Sequence, residues 1–233
     1  GGFSESLEAL WDAQSVPKDY KDILVVRDGS YSMTDRAFRG SSVSVMDIGD
    51  SLTLYTAKHN KSEAFKNKFI TFSSNTKFVD LSKFNTLYSS LMELRNRYTD
   101  CSSTNVRKVF KLILDTAIKN NLKQSDLPNT VLVVSDMQFD VAFSHRDNDD
   151  TLFENISKEF QSHGYTLPKM VFWNVSAHND TVPLQSNVNG LVLMSGFAKS
   201  NLDMILHDNL DPLCVLKQEL DSKYSFIDEI SPN

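Results

Sequence analysis

The sequence lacks features that several large protein classes require. Its 2 cysteines, Cys101 and Cys214, lie far apart and match no zinc-binding spacing, no redox motif and no disulfide framework. No apolar run approaches the roughly 18 residues of a membrane span, and no charged and then apolar leader opens the chain. These absences argue against a disulfide-stabilised secreted module and against a membrane protein. We therefore expect free thiols, a reducing compartment and a cytoplasmic location.

A surplus of basic residues is also missing. The 24 Lys and Arg residues are outnumbered by 30 Asp and Glu residues, which gives a net charge of -6. An acidic chain has no overall electrostatic attraction for a nucleic-acid backbone or for an anionic membrane surface. We therefore do not expect the domain as a whole to bind either of them. The 233 residues, 40% of them hydrophobic, suffice for one domain with a substantial core.

One stretch near the start of the chain organises the rest. Residues 23–26 are four apolar, mostly β-branched residues, and Asp28, Gly29, Ser30 and Ser32 follow them closely. A run this short, without polar alternation, predicts a strand that is covered on both faces, as in a parallel sheet. Ligands of such sheets lie beyond the carboxyl ends of the strands, where Gly29 would allow a tight turn. One carboxylate and two hydroxyls at that place predict a site for Mg²⁺, which prefers oxygen ligands.

The same stretch has a simpler interpretation as a strand followed by an ordinary polar turn. An acid with two nearby serines arises easily by chance, and a near copy of the pattern occurs at Asp100, Ser102 and Thr104. Both copies cannot follow the first strand, so the pattern alone does not establish a metal site. Two further stretches at fitting places favour the metal.

The first of these stretches is residues 130–134, a second β-branched run, which Asp136 follows. If the two strands are neighbours, Asp28 and Asp136 lie at the same edge of one sheet. The second stretch is Thr104, directly before an amphipathic segment at residues 105–121 that predicts a helix. Ser103 or Thr104 also suits the N-cap of that helix, and the two roles of Thr104 are compatible because such a helix begins at the same edge of the sheet.

Hydrophobic periodicity predicts the other elements of the fold. Helices are expected at residues 4–14, 47–60, 87–98, 105–121, 152–160, 200–207 and 212–220. Strands are expected at residues 23–26, 68–73, 77–81, 130–134, 169–175 and 190–197. The short turn between the second and third strands predicts a hairpin, and hence one antiparallel edge strand. The order of elements indicates a doubly wound, Rossmann-like α/β domain with a mostly parallel sheet and helices on both faces.

Together the three motifs resemble the von Willebrand factor type A (vWA) domain with its metal-ion-dependent adhesion site (MIDAS). The family's Asp-x-Ser-x-Ser after the first strand matches Asp28, Ser30 and Ser32. Its loop threonine matches Thr104, and its acid after the fourth strand matches Asp136. The resemblance covers nearly the whole chain. It implies that these residues hold a divalent cation, with Mg²⁺ expected first and Mn²⁺ or Ca²⁺ as alternatives.

Within the family, residues 135–140 look most like an intracellular branch similar to the C-terminal domain of Ro (TROVE) RNA-binding proteins. In that branch a helical RNA-binding region precedes the vWA-like domain. Residues 1–20 are therefore interpreted as an N-terminal helix and linker, the tail of a preceding region, and residues 21–233 as the vWA-like domain. RNA is expected as a partner only through that missing N-terminal region. Many family members have a small residue in place of Tyr31 and a glycine in place of Met137, so access to the ion depends on these two side chains.

A divalent ion held by two carboxylates and neutral hydroxyls keeps an exchangeable position, which an anionic oxygen from outside can fill. We therefore expect a non-enzymatic interaction domain that binds an Asp or Glu of a partner protein through the metal. One alternative is a metal-dependent phosphohydrolase with Asp28 as nucleophile, although that chemistry needs a second acid where Ser30 stands. The other alternative is a role within an RNA-binding ribonucleoprotein, as in TROVE-like proteins.

Overall fold

The structure is a computed structural model of the chain. It describes residues 5–37, 42–98, 104–137, 149–175, 184–188, 190–196 and 199–207. The strands are β1 (Ile23–Arg27), β2 (Lys68–Thr71), β3 (Phe78–Asp80), β4 (Thr130–Ser135), β5 (Lys169–Asn174), β6 (Leu184–Val188) and β7 (Leu191–Ser195). The α-helices are α1 (Glu5–Asp12), α2 (Val45–His59), α3 (Leu87–Arg97), α4 (Val106–Lys119), α5 (Asp149–Ser162) and α6 (Lys199–Leu206).

Some predictions cannot be compared with these elements. The helix expected at residues 212–220 lies outside the described residues, as do Cys101 and Cys214. Among the helices that the structure does describe, none has the length and apolar character that crossing a bilayer requires.

In the described part of the chain, seven strands form one sheet in the order β3-β2-β1-β4-β5-β7-β6. β1 pairs in parallel with β2 and β4, and β5 pairs in parallel with β4 and β7. β3 and β6 run antiparallel to their neighbours at the two edges. The predicted doubly wound, mostly parallel sheet with an antiparallel edge strand is therefore confirmed. β6 adds a second antiparallel edge that the sequence did not reveal, because its three central residues are polar.

The side chains of β1 alternate between two separate cores. Leu24 and Val26 pack into one hydrophobic cluster, whereas Ile23 and Val25 pack into the other. Successive residues of a strand point to opposite faces, so this division shows a sheet that is covered on both sides. α4 and α5 cover the first face, and α2 and α6 cover the second. The predicted arrangement of helices is confirmed, and it explains why the strand is apolar without alternation.

Aromatic contacts fix α4 to α5. The ring of Phe110 lies edge-on to the rings of Phe153 and Phe160, with centroid separations of 6.0 and 6.2 Å. Edge-to-face pairs of this kind add about 0.5–1.5 kcal/mol each beyond the burial of their surface. They hold α4 in place, and α4 begins two residues after Thr104.

α2 begins two residues before position 47, where it was predicted to start. Its N-cap is Ser44, whose hydroxyl accepts a hydrogen bond from the backbone N–H of Asp47 at 3.1 Å. In return the Asp47 carboxylate accepts one from the backbone N–H of Ser44 at 2.9 Å. This capping box satisfies two backbone donors that the start of a helix would otherwise leave unpaired. It also fixes Asp47 where its carboxylate meets Arg95 of α3.

α1 packs against the domain, although its predicted apolar stripe is only partly buried. The Glu8 carboxylate accepts hydrogen bonds from the backbone N–H groups of Leu87 and Tyr88 at 2.9 and 3.2 Å. Glu8 therefore satisfies donors at the start of α3, which have no partner within their own helix. Leu10, a member of the predicted stripe, is 67% exposed.

Candidate metal centre

The acids that the sequence singled out follow two neighbouring strands at one edge of the sheet. Asp28 comes directly after β1, and Asp136 comes directly after β4. In the parallel register Arg27 lies opposite Val134, so the next residue along, Asp28, lies beside Ser135. The strands are neighbours, as the metal hypothesis requires.

Asp28 is a buried carboxylate with both oxygens engaged. Asp28 as a whole is only 2% exposed. Its Oδ1 accepts a hydrogen bond from the backbone N–H of Ser30 at 2.9 Å, and its Oδ2 accepts one from the hydroxyl of Ser135 at 2.9 Å. The Ser135 hydroxyl also accepts a hydrogen bond from the backbone N–H of Met137 at 3.1 Å. Ser135 therefore connects the loop after β1 to the loop after β4.

The two serines of the first loop lie close together. The hydroxyl oxygens of Ser30 and Ser32 are 3.2 Å apart, and the short 3₁₀ turn Tyr31–Thr34 contains the second of them. Ser30 is buried whereas Ser32 is exposed, so the pair extends from the interior to the surface. Tyr31 between them is 88% exposed. Its ring lies in solvent, between the two serines in the sequence.

Gly29 is required by a close approach of the backbone. A Cβ atom on Gly29 would lie 1.8 Å from the carbonyl oxygen of Tyr98 and 2.6 Å from Nη1 of Arg27. Gly29 is not among the glycines with positive φ. The tight turn proposed from the sequence is therefore not the reason for a glycine here. The reason is that the end of α3 packs directly on the loop of Asp28.

Thr104 is held by the end of a third strand. It is buried, and its hydroxyl donates a hydrogen bond to the backbone carbonyl of Ser73 at 2.8 Å. Ser73 follows β2, whose continuation is bonded to β1 through the N–H of Phe72 and the carbonyl of Arg27 at 3.0 Å. The interpretation of Thr104 as the cap of α4 is wrong, because the side chain of Asn105 caps that helix.

Asp136 has a buried oxygen without a hydrogen bond. The residue is partly exposed, but its Oδ1 is buried and has no partner among the described residues. Burial of a carboxylate oxygen without compensation is costly, and nearly all buried polar atoms in proteins are satisfied. A cation beside Asp136 would supply the missing interaction.

The donor set of this edge fits a hard divalent cation. The predicted ligands offer carboxylate and hydroxyl oxygens only, which suits Mg²⁺. In the ranges that the structure describes, no three His, Cys, Asp or Glu side chains form a metal-binding cluster. A metal at this edge would therefore depend on the hydroxyls of Ser30, Ser32 and Thr104 in addition to the two acids.

Two residues around the predicted ligands escaped the sequence interpretation. Ser135 donates a hydrogen bond to Asp28. The sequence feature that could have identified it is a hydroxyl residue at the end of a buried strand, one position before an acid. Arg27 is buried and directly precedes Asp28. The sequence feature that could have identified it is a charged residue at the end of an otherwise apolar run. Both positions can be found once the register of β1 and β4 is known.

Comparisons with known proteins place the chain in a family and give one similar viral protein. A family model matches residues 22–223, and the chain therefore belongs to the family described as a domain of unknown function, DUF7788. Over 94% of its length the chain is 28% identical to Uncharacterized protein L728 of Acanthamoeba polyphaga mimivirus. It spans 37% of the length of that protein.

A solved structure is similar as well. The crystal structure of the Deinococcus radiodurans Ro (RSR) protein matches 82% of this chain and 34% of its own chain. The TM-score is 0.58 and the sequence identity is 12%. A likeness at this level of identity concerns the fold, and it supports the predicted vWA-like architecture.

Proposed function

We propose that this chain is a metal-dependent interaction domain, without catalytic activity, that binds an acidic group of a partner protein through a divalent cation. The observation that carries the proposal is the buried oxygen of Asp136, which has no hydrogen bond with the described residues, at the sheet edge where Asp28 also follows its strand. Ser30, Ser32 and Thr104 would contribute hydroxyl oxygens, and Mg²⁺ is the ion that this donor set favours. The exchangeable position of the ion would take the carboxylate of the partner.

The state of Asp28 argues against the alternative of phosphoryl transfer. A carboxylate nucleophile needs an oxygen that is free to attack. Both oxygens of Asp28 accept hydrogen bonds, from Ser30 and from Ser135, and the residue is buried. Ser30 also occupies the position where a phosphohydrolase would need a second acid.

Membership of a ribonucleoprotein is the second candidate, and the likeness in fold to a Ro (RSR) protein favours it. The net charge of -6 argues against RNA contact by this domain itself. In that setting the domain would bind an acidic group of a protein neighbour through the metal, while RNA would be bound by another part of the protein.

The test begins with Mn²⁺ and Mg²⁺ binding by isothermal titration calorimetry, with Asp136→Asn as the matched control. A single site that is lost in the variant is expected. Immobilised hexapeptides with one Asp or Glu should then retain the domain only with metal, whereas their Asn and Gln counterparts should not.

Two other results would favour the alternatives. Mg²⁺-dependent hydrolysis of p-nitrophenyl phosphate that Asp28→Asn abolishes would overturn the proposal. Salt-sensitive binding of RNA would favour the ribonucleoprotein candidate.

A further inference from the structure

Arg27 is a buried charge at the last position of β1, directly before Asp28. The residue is 3% exposed. Its Nε donates a hydrogen bond to Oδ1 of Asp50 at 2.7 Å, and its Nη1 donates one to the backbone carbonyl of Tyr98 at 2.8 Å. Its Nη2 is buried and makes no hydrogen bond with the described residues. A buried guanidinium with an unused donor costs stability, so folding alone does not account for an arginine at this position.

The carbonyl of Tyr98 is held between two residues that flank Asp28. Arg27 donates to it from one side, and the Cα of Gly29 approaches it so closely that a Cβ would lie 1.8 Å from the oxygen. The Tyr98 ring adds a perpendicular contact with Phe69 of β2, with 5.6 Å between the ring centroids. The end of α3 is therefore attached to the backbone that presents Asp28.

The same part of the chain is attached again six residues later. Thr104 donates its hydroxyl hydrogen to the carbonyl of Ser73, at the end of the strand next to β1. Tyr98 and Thr104 are thus each bonded to the group of strand ends that carries Asp28. The first of these two attachments depends on Arg27, and the second depends on Thr104 itself.

The positive charge of Arg27 is balanced within the protein. Asp50, which is also buried, accepts from Arg27 through Oδ1 and from Arg95 through Oδ2 at 3.1 Å. Arg95 in turn pairs with Asp47 at 2.5 Å. Two arginines and two aspartates form this network, so no net charge is added beside the candidate metal centre.

We propose that Arg27 is a positioning residue of the metal centre. It fixes the end of α3 to the Asp28 loop and so sets the place of Thr104 relative to Asp28, Ser30 and Ser32. The inference rests on the proposed metal site. It adds a residue that positions the ligands and does not itself bind the metal. Partners that orient metal ligands are commonly worth tenfold or more in metal affinity.

The sign of the effect distinguishes positioning from simple electrostatics. Removing a positive charge near a cation site would tighten binding of the cation if charge alone mattered. Removing a positioning residue would weaken binding. Arg95 is the matched control, because it brings the same charge to the same aspartate, whereas the hydrogen bond to the carbonyl of Tyr98 comes from Arg27.

The experiment measures Mn²⁺ affinity of the wild type, Arg27→Met and Arg95→Met by isothermal titration calorimetry. Arg27→Met should bind Mn²⁺ about tenfold more weakly or worse, whereas Arg95→Met should stay within about threefold of the wild type. Asp50 keeps Arg95 as a partner in Arg27→Met, so the fold should persist. Arg27→Lys keeps the charge but cannot donate to Asp50 and Tyr98 in the same geometry, and it should give an intermediate affinity. Unchanged or tighter binding by Arg27→Met overturns the inference.

Hydrogen exchange of the metal-free proteins separates this inference from the proposed function. Peptides that end at Tyr98 and cover the last turn of α3 should exchange faster in Arg27→Met and Arg27→Lys than in the wild type, and Arg95→Met should resemble the wild type. If the wild type does not bind Mn²⁺, the proposed function fails while this exchange difference still tests the attachment at Tyr98. Equal exchange in all four proteins would refute the positioning role even if Mn²⁺ binds.

Discussion

The two acids of the candidate centre follow adjacent strands at one edge of the sheet, yet they are held in different ways. Asp28 is buried, and each of its oxygens accepts a hydrogen bond from the protein. Asp136 is partly exposed, and one of its oxygens is buried without a partner among the described residues. The comparison indicates that Asp28 belongs to the framework of the site, whereas Asp136 retains capacity for an external ligand.

This difference has an energetic consequence. Removal of Asp28 would leave the N–H of Ser30 and the hydroxyl of Ser135 without their acceptor in a buried place. Leaving a buried donor unsatisfied costs about 1–3 kcal/mol. Removal of Asp136 would instead delete an unsatisfied atom and reduce repulsion between two nearby carboxylates.

The largest expected effect is therefore on the stability of Asp28→Ala. We expect its free energy of unfolding in metal-free buffer to fall by about 2–4 kcal/mol, because two buried donors lose their partner. Urea denaturation followed by circular dichroism measures this change. Asp136→Ala is the matched variant and should lose less than about 1 kcal/mol. Equal losses in the two variants would contradict the division of roles between the acids.

The next largest effect is the stabilisation of the fold by metal, which should depend on Asp136. At a free Mn²⁺ or Mg²⁺ concentration about 100-fold above Kd, binding to the native state should add about 2.7 kcal/mol. Thermal melting with metal and with EDTA measures the difference. Asp136→Asn keeps the shape of the side chain and should melt at the same temperature with or without metal. A metal response that survives in Asp136→Asn would remove this acid from the site.

A smaller effect separates two serines with different surroundings. Ser135→Ala deletes the donor to Asp28 and the acceptor of the Met137 N–H, so it should lower the free energy of unfolding by about 1–2 kcal/mol. Ser32→Ala changes an exposed hydroxyl and should leave metal-free stability within about 0.5 kcal/mol. Calorimetric Mn²⁺ titration should nevertheless show the greater loss of affinity in Ser32→Ala. The opposite ranking would make Ser135 the ligand and Ser32 a surface residue.

The parts of the site that the sequence could predict are those encoded locally. The apolar run of β1, the acid that ends it and the matching pair at β4 are each visible within a few residues, and the sheet order brings them together. The attachment of Thr104 to Ser73 and of Arg27 to Tyr98 joins residues that are 31 and 71 positions apart. No local pattern encodes such contacts, which arise only when β2 and α3 pack beside β1.

Two of the errors of detail concern the first residues of helices. The start of α2 was placed too late because the capping box of Ser44 and Asp47 is polar and adds nothing to a hydrophobic stripe. A capping role for α4 was considered for Thr104 because threonine, like asparagine, is among the residue types that favour that position. Tertiary structure decides between them, since the Thr104 hydroxyl is already used by Ser73.

The smallest expected effect concerns Asp47, which pairs with Arg95 and, unlike the two acids of the centre, is not expected to bind the metal. Burial alone would raise the pKa of Asp47, but hydrogen bonds from Ser44 and Arg95 outweigh it and hold the pKa below the ordinary value of 3.8. A carboxyl whose pKa is lower in the folded state stabilises the protein above its unfolded pKa. That contribution is lost as the pH falls through the lower, folded pKa.

Asp47→Asn should therefore reduce the free energy of unfolding at pH 6, and this difference should become smaller at pH 2. The reduction should be less than about 1 kcal/mol, because the side chains of Arg95 and Asp47 are 39% and 40% exposed and solvent screens the pair. Urea denaturation at the two pH values, with the wild type beside the variant, measures it. Metal affinity should not change, since Asp50 still balances Arg27. A stability difference that persists undiminished at pH 2 would mean that the asparagine disturbs the cap of α2 and that charge is not the cause.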